Sequence, residues 1–362
     1  MKLVEPVPWV STIPDYVPGR SKEDIAREYG AANPIKLASN ENPLGPSPKA
    51  LAAMHSACEE THLYPDPDSR SLRKAAAVFF GCIPEQIVAG NGSDEIIDLI
   101  CRAHLRPGDE AIIPSCTFSY YGIAAQACGA TVVHAPMRRH RIDIAGITGS
   151  LGPKTRIIFI ANPNNPTGTC LNRQEVLDLI TGTPGNVLIV MDEAYGAFVR
   201  NPDFLSCVGL VRDHANLVTV HTLSKSHGLA GMRIGFGIAA EAVMKNLLRI
   251  KPPFNVNHLA QKAGTAALND DDFLKRTLRI TWEGLDMLYE AFERIGLSYV
   301  KSQTNFVMVH IGGHAVKVYE ALLGKGIITR SMASFGLDEY LRVSIGTPEE
   351  NNAFVTALEE VL

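Results

Sequence analysis

Three short, almost wholly apolar runs, separated by segments of helical spacing, constrain this chain more than any other feature. They are RIIFIA at 156–161, NVLIVMD at 186–192 and NLVTVHT at 216–222, and segments such as NRQEVLDLI at 172–180 lie between them. A strand with one wet face alternates apolar and polar residues. Runs that are apolar throughout suit central strands of a mainly parallel sheet covered by helices on both faces. The predicted fold class is therefore α/β, and ligand-binding residues are expected at the carboxyl ends of the strands.

A chain of 362 residues is longer than one ordinary core supports. After about residue 250 the texture changes to long helical segments such as DDFLKRTLRITWEGLDMLYEAFERIG, then the short strands NFVMVH and LRVSIG and a closing helix from Pro348. The predicted division is an N-terminal arm or lid at 1–46 contributing to the small domain, a large domain at 47–255, and a small α+β domain at 256–362. Charges are scattered and sum to −4, so no basic block suggests a nucleic-acid or anionic-lipid surface. The seven cysteines are widely spaced without a C-x-x-C pair, which points to reduced thiols and away from a zinc site. Prolines break up the first 19 residues, and no apolar run approaches the ~20 residues of a membrane span. The expected location is the cytoplasm, with small molecules as substrates.

Four segments carry candidate chemistry. GNGSDE at 90–95 lies between QIVA and the apolar helical pattern EIIDLICRA. Its amides can cradle a phosphate at a helix N-terminus, or Ser93 or Asp94 can simply cap that helix. NPNNPTG at 162–168 follows a strand and reads first as a turn, but the Asn165 amide can donate to a phenolate-like oxygen. Asp192, in DEAY, directly follows an apolar run, where a carboxylate needs a partner. A cationic ring nitrogen would serve, and so would a nearby arginine or lysine. Lys225, in TLSKSHGLAGMRIG, is either a surface lysine or an amine of lowered pKa able to form a Schiff base. Arg233 can reach a cofactor phosphate or Asp192, and the sequence alone does not choose.

The order of phosphate cradle, Asn, Asp, Tyr, Ser-Lys and Arg closely resembles the fold-type I pyridoxal-5'-phosphate (PLP) aminotransferases along essentially the whole chain. That resemblance implies a large PLP-binding domain and a smaller α+β domain. It makes Lys225 the lysine that holds the cofactor and moves the proton, and Asp192 the partner of the pyridinium nitrogen. Asn165 and Tyr195 would bond the cofactor's 3'-oxygen, and Gly92, Ser93, Asp94, Ser224 and Arg233 would hold its phosphate. Phe118, in CTFSYYG, takes the place of the stacking aromatic, where related enzymes often have tyrosine.

Within that fold the chain most resembles the histidinol-phosphate aminotransferases. The segments that carry this are YVPG at 16–19, KLASNENPLGPSP at 36–48, YPD at 64–66, PFNVN at 253–257, GIITR at 326–330 and YLRVSIGTPEE at 340–350. By position, the resemblance implies that Arg342 binds the substrate's acidic group and that Arg330 and Tyr16 help hold its phosphate. Tyr64 would reach the cofactor phosphate of a neighbouring subunit, which implies a homodimer with shared active sites. The implied reaction takes the amino group of histidinol phosphate to 2-oxoglutarate, giving imidazole acetol phosphate and glutamate. Rival readings are an aromatic amino-acid aminotransferase on the same scaffold, a PLP-dependent decarboxylase or C–S lyase, and a catalytically silent binding module.

Overall fold

The computed structural model of the protein describes residues 4–13 and 19–362. Its centre is a seven-stranded sheet in the order Ile87–Asn91, Ile234–Ala239, Leu217–Thr222, Leu188–Asp192, Thr155–Ala161, Glu110–Pro114, Thr131–Ala135. Ile234–Ala239 alone runs against the common direction of the other six strands. The three apolar runs of the sequence occupy adjacent central positions, and Leu188–Asp192 is buried along its whole length. Separate apolar cores cover the two faces, one containing Ile158, Ile160, Ile189 and Met191, the other Phe159, Val190, Val218 and Val220. Successive residues of one strand thus point into opposite cores, which is why these runs show no polar alternation.

Local signals set the covering helices. Helix Arg173–Gly182 begins at a reciprocal cap in which Asn172 Oδ1 accepts from the Glu175 amide and Glu175 Oε2 accepts from the Asn172 amide. Strand Ile234–Ala239 was not foreseen, because its sequence IGFGIA contains two glycines. Packing explains them: a Cβ at Gly235 would lie 2.4 Å from the Gly92 carbonyl carbon and the Ser93 nitrogen. Only glycine lets this strand pass so close to the start of helix Ser93–His104.

A second, four-stranded antiparallel sheet has the order Tyr299–Val300, Phe306–His310, Tyr340–Ser344, Arg330–Ser331. Helices Asp271–Ile295, Ala315–Gly324 and Pro348–Val361 close its core around Leu288, Phe292, Val307, Val343 and Phe354. Helix His258–Ala267 lies against Pro48–Ala57 and gives Ala260 and Ala263 to a core of the large sheet. Of the N-terminal residues, Trp9 donates to the carbonyl of Ala127 beside the large sheet. Ile35–Lys36 pairs with Ile327–Ile328 in parallel. All seven cysteines are free. Among the described residues no helix is long and apolar enough to cross a membrane.

Candidate active site

The carboxyl ends of the central strands open into a cavity of about 220 Å³ lined from both sheets and from residues 38–40. One end is an anion cradle. Gly92, at φ 84°, turns Ile87–Asn91 into helix Ser93–His104, whose first residues Ser93 and Asp94 line the cavity. The partial positive charge of a helix N-terminus therefore points where a phosphate would sit. Arg233 lies across Gly92 so closely that a Cβ there would meet its Nη2 at 2.4 Å. Its Nη2 donates to Asp94 Oδ2 at 3.1 Å, and Nη1 reaches Ser224 Oγ at 3.5 Å. Arg233 therefore bonds Asp94 and Ser224 beside the helix start, while Asp192 is bonded by Tyr121 and the Ala194 amide.

Asp192 ends the central strand and is buried. Tyr121 donates its hydroxyl to Oδ2 at 2.7 Å, and the Ala194 amide donates to Oδ1 at 2.9 Å. Burial pushes its pKa up to about 6 despite these two donors. A cation placed against it would restore the carboxylate. Tyr121, fully buried and stacked on Phe159 at 5.0 Å, is a cavity-lining residue that sequence reasoning missed. Its signal lay within CTFSYYG, which was read for Phe118 alone. Tyr121→Phe is expected to raise the Asp192 pKa further and to cost the cofactor-free protein about 1.5–3 kcal/mol at pH 7, the worth of a charged hydrogen bond. Denaturant midpoints across pH 5 to 8 check this, because the variant's stability should fall more steeply with rising pH.

Lys225 follows strand Leu217–Thr222 and donates to the Ser39 carbonyl at 3.0 Å. Enclosure by protein, then the neighbouring Arg342 charge, pulls its pKa down to about 8. About a tenth of this amine is therefore neutral, and nucleophilic, at pH 7, far more than for an ordinary lysine. Asn165 Oδ1 accepts from Arg342 Nη1 at 2.6 Å, which leaves its amide hydrogens as the group available to the cavity. Buried Tyr195 packs edge-on against Phe306, its hydroxyl accepting from Asn40 Nδ2 at 2.9 Å. Burial pushes its pKa up to about 12, so it stays protonated.

Arg342, also buried, bonds the Ala38 carbonyl at 2.6 Å and lies 5.1 Å from the Phe306 ring centre. Arg330 lines the same cavity and sits directly opposite Arg342 in the strand register. Two guanidinium groups lining one cavity can offer an anion planar, charge-assisted donors. The cavity thus joins an anion cradle, a carboxylate, an amine of lowered pKa, two donors and a pair of arginines.

Comparison with known proteins agrees with this geometry. Residues 32–358 match the aminotransferase class I and II family. The chain belongs to that family. Among its relatives, the histidinol-phosphate aminotransferase of Moorella thermoacetica is 41% identical over 354 residues, 98% of this chain and 92% of that one. The protein of the same name from Bdellovibrio bacteriovorus is 42% identical over 362 residues, covering 98% and 97%. The crystal structure of histidinol-phosphate aminotransferase from Sinorhizobium meliloti in complex with pyridoxal-5'-phosphate aligns with a TM-score of 0.92. It is 26% identical and covers 99% of this chain and 98% of that one.

In this aminotransferase the structure brings Ser93, Asp94, Phe118, Asn165, Asp192, Tyr195, Ser224, Lys225, Arg233, Arg330 and Arg342 to one cavity, with Gly92 directly behind Arg233. Tyr64 stands apart, 83% exposed and stacked on Phe254 at 4.6 Å. Tyr16 lies outside the described residues. The residues present fit PLP: a cradle and an arginine for its phosphate, donors for a ring oxygen, a carboxylate for a ring nitrogen and a lysine for its aldehyde. Asn40 and Ser39, whose segment was noted without a role for either, complete the wall beside Tyr195 and Lys225.

Proposed function

We propose that this aminotransferase uses PLP to move the amino group of L-histidinol phosphate to 2-oxoglutarate, yielding imidazole acetol phosphate and glutamate. The observation that carries the reading is the Lys225 amine, of lowered pKa, in one cavity with Asp192 and the cross-strand arginines 330 and 342. Relatives about 40% identical over nearly the whole chain, named histidinol-phosphate aminotransferase, support it.

Bound PLP supplies an electron sink for the bond broken at the substrate's amine-bearing carbon. Lys225 holds the cofactor until substrate arrives and then, as a free amine, takes the proton from that carbon. Asp192 keeps a proton on the ring nitrogen, and Tyr121 and the Ala194 amide hold the carboxylate in place. Asn165 and Tyr195 donate to the ring oxygen, while Ser93, Asp94, Ser224 and Arg233 fix the phosphate end and Phe118 covers the ring. Arg342 binds the substrate's acidic group. It serves both a phosphate and a carboxylate because each accepts a two-pronged guanidinium contact. Arg330 adds the charge a phosphate dianion calls for, and Tyr16 would help hold that phosphate as a neutral hydroxyl donor.

We further read the enzyme as a cytoplasmic homodimer. Tyr64 is exposed on its own chain and away from its own cavity, as a residue that serves a neighbouring subunit would be. The division into a terminal arm, a PLP-binding domain and a small domain is part of the same reading. Packing of His258–Ala267 against Pro48–Ala57 favours counting that helix with the PLP-binding domain.

The test is a rate comparison with 2-oxoglutarate as acceptor, offering histidinol phosphate, phenylalanine, tyrosine and aspartate to wild type and Arg330→Ala. The wild type should prefer histidinol phosphate. The variant should lose about one to two powers of ten in kcat/KM for it, the worth of a charge-assisted contact, and much less for phenylalanine. An equal loss for both, or an outright wild-type preference for phenylalanine, would return the reading to an aromatic aminotransferase.

A further inference from the structure

The two donors aimed at the cofactor's ring oxygen are not aimed alike. Asn165 has its oxygen tied down by Arg342, so its amide hydrogens are left for the cavity. A tyrosine hydroxyl carries one hydrogen and turns freely unless something fixes which partner receives it. Around Tyr195 that something is a buried chain of amide and hydroxyl groups. Asn40 Nδ2 donates to Tyr195 Oη at 2.9 Å, and Asn40 Oδ1 accepts from Ser344 Oγ at 2.9 Å. The Asn40 amide donates to the same Ser344 Oγ at 2.9 Å, and Asn305 Nδ2 donates to the Asn40 carbonyl at 2.9 Å. Asn40 itself sits at φ 56°, a left-handed conformation that asparagine and aspartate tolerate better than most residues.

This chain has a direction. Turning the Asn40 amide over would place two donors on Ser344 Oγ and leave the serine's own hydrogen without an acceptor among the described residues. With the amide held as it is, Tyr195 receives a hydrogen bond from the protein and must send its own hydrogen elsewhere. Among the described residues the Tyr195 hydroxyl has no protein acceptor, and the tyrosine lines the cavity. We infer that Asn40 is a positioning residue that, locked by Ser344, turns the Tyr195 hydroxyl into an obligate donor to the ring oxygen of the cofactor. The inference rests on the reading of Tyr195 as that donor, and links three segments far apart in sequence: residues 38–40, the end of the central strand and the small sheet.

The pH midpoint of the bound cofactor's visible absorbance reads this directly. A donor on the ring oxygen stabilises its negative charge and disfavours protonation of the neighbouring nitrogen, so losing that donor raises the midpoint. Tyr195→Phe should raise it by about one to two pH units. Asn40→Asp keeps the shape and the backbone preference but offers Tyr195 an acceptor, drawing its hydrogen away from the cavity. It should raise the midpoint by a similar amount, whereas Asn40→Ala, which leaves the hydroxyl free to donate, should move it much less. In a Tyr195→Phe background Asn40→Asp should add little, because the two changes remove the same hydrogen bond. Should Asn40→Asp fail to fold, Ser344→Ala replaces it: freeing the amide to turn over should raise the midpoint part of the way.

A shift in Tyr195→Phe with none in Asn40→Asp, or none in Ser344→Ala where that stands in, overturns the inference and leaves the donor reading intact. An Asn40→Asp shift that persists undiminished without the Tyr195 hydroxyl also overturns it, since only the field of the new carboxylate would then be at work. No shift in Tyr195→Phe removes both the reading and the inference.

Discussion

Replacing Lys225 with alanine should abolish turnover while leaving a folded protein that still takes up PLP. The loss is expected to be several powers of ten, at about 1.4 kcal/mol of barrier each, because the variant lacks the one lysine that lines the cavity among the described residues. The cradle of Ser93, Asp94, Ser224 and Arg233 is untouched, so weak binding through the phosphate should persist. Folding should not suffer much either, and the sign follows from the pKa. Lys225 is depressed from 10.5 to about 8 in the folded chain. Between those values the unfolded chain binds more protons, so the group's contribution to stability rises with pH, and at pH 7 it is a penalty. Removing the lysine lifts that penalty and offsets part of the packing it gave. Borohydride should fix the cofactor on the wild type at Lys225 and nowhere on the variant. Covalent labelling at another lysine, or near-normal turnover by the variant, would end the assignment.

What the sequence showed of this site, and what it hid, follows from how far apart the partners lie. Asp192, Asn165 and Lys225 were legible because each sits at or just beyond the end of an apolar run, where a parallel sheet exposes its carboxyl edge. The partners of those residues were not legible. Arg233 and Asp94 are 139 residues apart, Tyr121 and Asp192 are 71, and Asn40 and Tyr195 are 155. No periodicity connects such positions, and each bond exists only because the sheet order brings the segments together. The fold divides in the same way. Runs buried on both faces announced themselves, whereas Ile234–Ala239 did not, because the glycines that break its pattern serve a contact with Gly92 and Ser93 in another segment. Tyr121 shows the limit from the other side. Its motif was noted for Phe118, but a fully buried hydroxyl aimed at a carboxylate is visible only once the carboxylate's place is known.

Asp192→Asn separates a catalytic carboxylate from a structural one, because the two roles move stability and turnover in different directions. In the cofactor-free protein Asp192 is raised from 3.8 to about 6, chiefly by burial. Its contribution to stability is thus fully present below pH 3.8 and is lost as the pH rises through 6. At pH 7 the buried charge costs roughly 3 kcal/mol by the size of that shift. Asparagine removes the charge but keeps one acceptor oxygen for two donors, Tyr121 Oη and the Ala194 amide. Leaving one of them without an acceptor costs about 1–3 kcal/mol. The two effects nearly cancel, so the cofactor-free variant should be about as stable as wild type at pH 7, with a flatter dependence between pH 4 and 6. Turnover should behave quite differently. A neutral amide cannot hold the proton on the cofactor's ring nitrogen, and the rate should fall by several powers of ten, with the proton-transfer step most affected. A solvent and substrate isotope comparison on the variant would show that step becoming rate-limiting. The contrary result, a sharp fall in melting temperature with turnover largely retained, would make Asp192 a structural anion and take the ring-nitrogen role away from it.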